Sequence, residues 1–210
     1  MIFPFNPLSI GISGLAVAAD ASDPSALLAA KVAAPATIFL ITFLLLLDIV
    51  FLLKLIVDNN PSWNQKPVSE ALCMSQSEIS QAVSRCKFAG LLAPDGKTVM
   101  KNSLFELLQY GLRFIFAQQP GPVVRGIPTA HSAEPLHQEI QSDEPFVWPY
   151  AHGTMRGHSI APLYPSVPAA ALKDPSLYEL LALVDALRVG RSRERELALI
   201  YIKERFDCGK

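Results

Sequence analysis

Cysteine is scarce in this chain of 210 residues: there are three, Cys73, Cys86 and Cys208, an odd number, far apart and without a CxxC pair. That excludes a disulfide-stapled scaffold and suits a reducing compartment. An excess of either charge is also missing, with 18 Lys and Arg against 19 Asp and Glu. Indiscriminate affinity for polyanions is thereby excluded, while a local basic face is not. The chain has no glycine-rich nucleotide loop, no compact metal-ligand spacing and no GxSxG elbow, so it reads as no enzyme, and no cofactor or metal is expected. Apolar residues make up 50% of it, enough burial to offset chain entropy, which excludes disorder as the dominant state.

Charge is sparsest where apolarity is greatest. From Ala33 to Leu47 no charged residue occurs, and the apolar run continues to Val57 with only Asp48 and Lys54 interrupting it. A membrane span needs roughly 20 mostly apolar residues, and each central charge costs about 2.5–3.5 kcal/mol on insertion scales. The uncharged part alone is short, so a buried lead-in helix is the expected reading and an anchor through residues 35–57 the alternative. A signal peptide fits poorly, because the run starts late and lacks a basic leader. Residues 1–35, with Pro4, Pro7, Gly11 and Gly14, read as a weakly structured extension.

The region from Asp48 to Phe116 carries most of the information. A buried helix from Asp48 to about Asp58 is closed by Asn59, Asn60 and Pro61. A short helix Gln65–Leu72 follows, with Pro67 in its first turn. After Cys73 and Met74, the run Ser75-Gln76-Ser77-Glu78 is a capping box. It opens a helix to about Phe88 that places Ile79, Val83 and Cys86 on one face and Gln76, Ser77, Ser80, Gln81, Ser84, Arg85 and Lys87 on the other. Asp95-Gly96 is a turn signal for a small β-hairpin between Leu92 and Thr98-Val99. A second capping box, Ser103 to Glu106, is expected to open a helix from Leu104 to Phe116.

The run VSEALCMSQSEISQAVSRCKFAGLL, followed by the Asp95-Gly96 hairpin, resembles the helix-turn-helix core of bacterial winged-helix regulators of the MarR-like kind. The likeness covers roughly residues 48–116, with a stubby wing at Ala93-Pro94-Asp95-Gly96-Lys97. It implies a double-stranded DNA partner, a homodimer, a cytoplasmic location and transcription regulation. An α-helix enters the major groove with its N-terminal residues at base edges. Gln76, Ser77, Ser80 and Gln81 are of the type that makes adaptable base-edge hydrogen bonds, with Ser84 beside them. Arg85, Lys87, Lys97 and Lys101 would meet phosphates. Residues 66–116 carry six basic side chains (Lys66, Arg85, Lys87, Lys97, Lys101, Arg113) and four acidic ones (Glu70, Glu78, Asp95, Glu106), a net +2. Two alternatives stand beside this reading: a winged-helix protein-interaction module of an operon-encoded pair, and a membrane-anchored DNA-binding regulator.

From 118 to 170 prolines recur, which excludes continuous helix. Phe146, Trp148, Tyr150 and Tyr164 argue for an extended arm wrapped over a folded surface. All four histidines, His131, His137, His152 and His158, fall here and read as polar loop residues. A weak echo joins Val124-Arg125-Gly126 with Met155-Arg156-Gly157, whose arginines suit an anion or, in the plainer reading, backbone carbonyls. Asp174-Pro175 caps a helix with Leu177, Leu180, Leu181, Val184 and Leu187 along one stripe. A last helix begins near Arg191, with Leu197, Ile200 and Tyr201 on successive turns. Arg188, Arg191, Arg193 and Arg195 read as an ion-paired helix surface in preference to a phosphate patch. The expected whole is mainly α with a small β-hairpin. It divides into an extension at 1–35, a lead-in helix and winged helix at 36–117, an arm at 118–170 and a C-terminal helical segment at 171–210.

Overall fold

A computed structural model describes residues 45–207, with side chains to Phe206. The 1–35 extension and most of the uncharged apolar run lie outside the described residues. The rest is mainly helical with a small three-stranded sheet.

Helix α1 covers residues 45–58. It is apolar on every side and accordingly buried on every side: Ile49, Val50, Phe51, Leu52 and Leu53 are all at most 1% exposed. Its two buried charges, Asp48 and Lys54, are each held by a partner from a distant segment, and Lys54 also by Asp58 of the same helix. Asp48 accepts a forked pair of bonds from Arg85 (Nη2 to Oδ1 2.6 Å, Nε to Oδ2 2.9 Å). Lys54 bridges Asp58 at 2.6 Å and Asp174 at 2.8 Å. The charges that made a bilayer costly are thus ion-paired within the fold, and among the described residues no helix is long and apolar enough to cross a membrane.

Helix α2 (Gln65–Leu72) ends at Cys73, whose φ of 54° turns the chain sharply into α3 (Gln76–Phe88). The Ser75 capping box forms as the spacing requires: the hydroxyl accepts from the Glu78 N–H while the Glu78 carboxylate accepts from the Ser75 N–H. Ile79, Ala82 and Cys86 are the buried face of α3.

Four expectations are corrected beyond this point. The small hairpin reduces to one bridge, Leu92 to Val99. Asp95 contributes to this: its carboxylate accepts from the Lys97 N–H (2.8 Å) and from the Thr98 N–H (3.2 Å), and the latter is the donor the next ladder bond would need. The second capping box does not form either. Met100 N–H is tied to the Leu91 carbonyl at 2.9 Å, so α4 (Lys101–Glu106) starts with Met100 at its N-cap and Ser103 lies inside it. It continues through a π turn (Leu107–Gly111) into α5 (Leu112–Ile115).

The proline-rich segment is no simple arm: it supplies the sheet. β1 (Val123–Pro128) pairs antiparallel with both β2 (Phe146–Pro149) and β3 (Met155–Ser159), while β2 and β3 pair in parallel, closing a ring of three. Prolines stand at strand ends, where no ladder N–H is required. Glycines make the closure possible, since a Cβ at Gly126 would lie 2.0 Å from the Trp148 carbonyl oxygen and one at Gly157 2.3 Å from that of Pro145.

After α6 (Val167–Ala171), α7 (Pro175–Val189) opens with the expected cap, Asp174 accepting from the Leu177 N–H at 3.1 Å. The apolar stripe of α7 is buried as expected, and Asp185 and Arg188 are buried with it. Asp185 accepts from Thr129 Oγ1 (2.9 Å), Trp148 Nε1 (2.5 Å) and Arg188 (2.7 Å), joining α7 to the sheet. The buried stripe of α8 (Ser192–Asp207) is Glu194, Ala198, Ile202 and Phe206, at intervals of four, and Ile200 faces solvent, contrary to the sequence reading. One hydrophobic core takes in residues from the lead-in, arm and C-terminal segments alike.

Candidate nucleic-acid interface

The solvent face of α3 is built from its sequence period. Ile79, Ala82 and Cys86 turn inward, leaving Gln76, Ser77, Ser80, Gln81, Ser84, Lys87 and Phe88 exposed. Ser84 donates its hydroxyl to the Ser80 carbonyl at 3.2 Å. Toward its N-terminal end the face is a set of uncharged donors and acceptors, Gln76, Ser77, Ser80 and Gln81, while Lys87 and the exposed Phe88 stand at its C-terminal end. Cys86 lies beneath it, and burial pushes its thiol up to about 12, which leaves it an inert core residue.

The four expected phosphate-binding cations have unequal fates. Lys87 is exposed, its stem lying beside Gly96, which holds the turn at a φ of 70°. Arg85 is clamped on Asp48, which is 2% exposed. Burial raises the Asp48 pKa, and the Arg85 guanidinium opposes that rise without cancelling it. Lys97 remains exposed, yet its ammonium donates to the Trp63 carbonyl and sits 4.6 Å from the Trp63 ring centroid. Lys101 donates to the Phe206 carbonyl at 2.8 Å, satisfying an orphan acceptor near the end of α8. Three of the four are therefore engaged inside the fold. The same holds for part of the C-terminal arginine cluster: Arg188 bonds Asp185 and the Phe116 and Ala161 carbonyls, and Arg195 bonds the Gly190 carbonyl.

The N-terminal end of α3 has a neighbour that sequence reasoning missed. Tyr164 donates its hydroxyl to Glu78, and Ser166 donates to the Leu72 carbonyl at 2.6 Å, so the segment before α6 crosses the α2–α3 turn. Burial pushes Glu78 up, but its bonds from Tyr164 and Ser75 prevail and hold its carboxyl below the ordinary range. Tyr164 is raised by burial and by the carboxylate it faces. The partners are 86 positions apart, and no spacing rule marks such a pair.

No family model, curated protein or solved structure matches the chain. The functional reading therefore rests on the residues themselves. Among the described residues, no group of three or more His, Cys, Asp or Glu is placed to hold a metal. His131 is buried beside Glu194 at 3.6 Å and His158 contacts the Gly121 carbonyl at 3.0 Å, which accounts for two of the histidines as packed side chains. Cys73 and Cys86 are free thiols; Cys208 lies outside the described residues.

Proposed function

We propose that α2 and α3 with the Pro94–Lys97 turn form a winged helix-turn-helix of the MarR-like kind that reads double-stranded DNA as a transcription regulator. One observation carries this: α3 is rigidly capped, braced by α2, and presents Gln76, Ser77, Ser80 and Gln81 as an uncharged hydrogen-bonding surface at its N-terminal end. Such a surface suits base edges, where Gln can pair in two places with adenine. The cation set is smaller than the sequence suggested, with Lys87 left as the phosphate contact on α3, since the Lys97 ammonium at the turn is engaged by Trp63. A single helix with so few phosphate contacts reads a half-site weakly, so a homodimer on two half-sites is part of the proposal.

Selection of bound sequences from a random DNA pool tests this directly. Enrichment of a motif supports it, and Gln81→Ala is expected to shift base preference while Lys87→Ala weakens binding to all sequences and lowers the salt slope by about one. The engagement of Arg85, Lys97 and Lys101 within the fold favours a second reading, in which the same face binds a protein partner. Absence of any enriched motif, with an intact fold, would select that second reading.

A further inference from the structure

The two Arg-Gly pairs that echo one another in the sequence meet in the fold, where Arg125 on β1 and Arg156 on β3 are direct cross-strand partners. Partners in an antiparallel register project to one face, with Cβ atoms about 4.5–5.5 Å apart, and like charges so placed repel. Both arginines are exposed. The fold explains the rest of the echo. Gly126 and Gly157 are required by ring closure, and Arg125 Nε donates to the Gly153 carbonyl at 2.7 Å. It does not explain the terminal N–H groups of Arg125, or Arg156 at all. The ion pairs among the described residues engage Lys54, Arg85, His131, Arg188 and Arg205, and neither sheet arginine.

We propose that Arg125 and Arg156 clamp a phosphate group carried on a small molecule. Two guanidinium forks side by side match a tetrahedral dianion, whereas a lone carboxylate is satisfied by one fork. A bound phosphate would remove the cross-strand repulsion that the fold leaves uncompensated. The surroundings favour a compact ligand over a nucleic-acid strand: Val123 and His158 are the next pair on that face. The exposed Asp143 and Glu144 immediately precede Pro145, whose carbonyl accepts from His158 N–H at 2.7 Å. An extended polyanion along the sheet would meet those carboxylates.

The test uses the full chain and Arg156→Gln, melted in inorganic phosphate, in a nucleoside monophosphate and in sodium chloride of equal ionic strength. In chloride the variant is expected to melt at or above the parent, because it loses a repulsion and no bond. Phosphate or the monophosphate should raise the melting temperature of the parent beyond chloride. Calorimetric titration should then show binding weakened about tenfold or more in Arg156→Gln, the loss expected for one charge-assisted contact. A larger effect of the monophosphate would assign part of the recognition to the ester group. The proposal is overturned if phosphate acts no differently from chloride, or if Arg156→Gln responds like the parent. It is also overturned if Arg156→Gln alters binding of a DNA duplex alone, which would make the arginines backbone contacts. Lys87→Ala, expected to leave phosphate binding unchanged, separates this site from the α3 face.

Discussion

Arg85→Ala is expected to damage the fold before it touches any ligand. The substitution leaves Asp48, 2% exposed, without its forked partner in the core helix α1. Breaking a buried ion pair by deleting one member costs about 3–5 kcal/mol. The Arg85 side chain is 26% exposed, so part of the pair is screened, and Asp48 has an escape in taking up a proton. The low end, about 3 kcal/mol at neutral pH, is therefore expected. That is a large part of the 5–15 kcal/mol that holds a typical domain. The pH dependence has a definite sign. Burial raises Asp48 in the folded state above the ordinary aspartate value of about 3.9, against the opposing pull of Arg85, so the folded chain binds this proton more tightly than the unfolded one. The group's contribution therefore improves as pH falls toward its folded pKa. Without Arg85 the rise is larger, so the deficit of the variant should shrink on acidification. Urea denaturation of parent and variant near neutrality and near pH 5 measures both quantities, and the double variant Arg85→Ala/Asp48→Asn should recover part of the loss. A cost below about 1 kcal/mol, or one identical at both pH values, would refute the assignment of Arg85 to the core.

Asp174→Ala removes both the α7 cap and a partner of Lys54, and about 1–2 kcal/mol of stability should be lost in chemical denaturation. Its pH signature is the reverse of Asp48: Asp174 is pushed up by burial but held lower overall by Lys54 and the Leu177 N–H, so its contribution is present above about 3.9 and lost as pH falls through the folded value. Lys54 is raised by its bonds to Asp174 and Asp58 against the opposing effect of burial, so its contribution is complete below about 10.4 and fades as pH climbs through the folded value. Gly126→Ala drives a methyl group into the Trp148 carbonyl oxygen on β2, and Gly157→Ala drives one into that of Pro145, just before β2. A cost of about 3 kcal/mol or more, read as lost soluble protein or a lowered melting temperature, is expected at either site, whereas Gly→Ala at an unstrained site is neutral or stabilising. Asp185→Ala strands the donors of Thr129, Trp148 and Arg188, and a loss of about 3–5 kcal/mol together with altered Trp148 fluorescence should follow.

The helices were legible wherever local chemistry decides: Gln65–Leu72 and Gln76–Phe88 agree with their expected ranges, and the caps at Ser75 and Asp174 form as their spacing requires. A cap needs only residues three positions apart, so its signal lies within one turn of chain. The expected cap at Ser103 failed because a non-local bridge, Leu92 to Val99, sets where the next helix begins. The sheet escaped notice for a related reason. Its strands are short, interrupted by proline and glycine, and stabilised by closure on one another, which no local period announces. The polar face of α3 was visible from its period, but which of its cations remain available was not. Arg85, Lys97 and Lys101 find their partners 37, 34 and 105 positions away.

What the scarcity of charge in the apolar run decided by itself was that this stretch needs an apolar environment, because desolvating so many aliphatic side chains is favourable in either a core or a bilayer. Within the described residues, only the tertiary structure chose between them. Asp48 and Lys54 are tolerable in α1 because Arg85, Asp58 and Asp174 stand within hydrogen-bonding distance, and two of those three ion pairs, those with Arg85 and Asp174, depend on segments the chain brings back from beyond the helix. Sequence decides what each residue prefers within a turn or two. Whether a charge is available to a ligand or committed to the core depends on contacts across the whole chain.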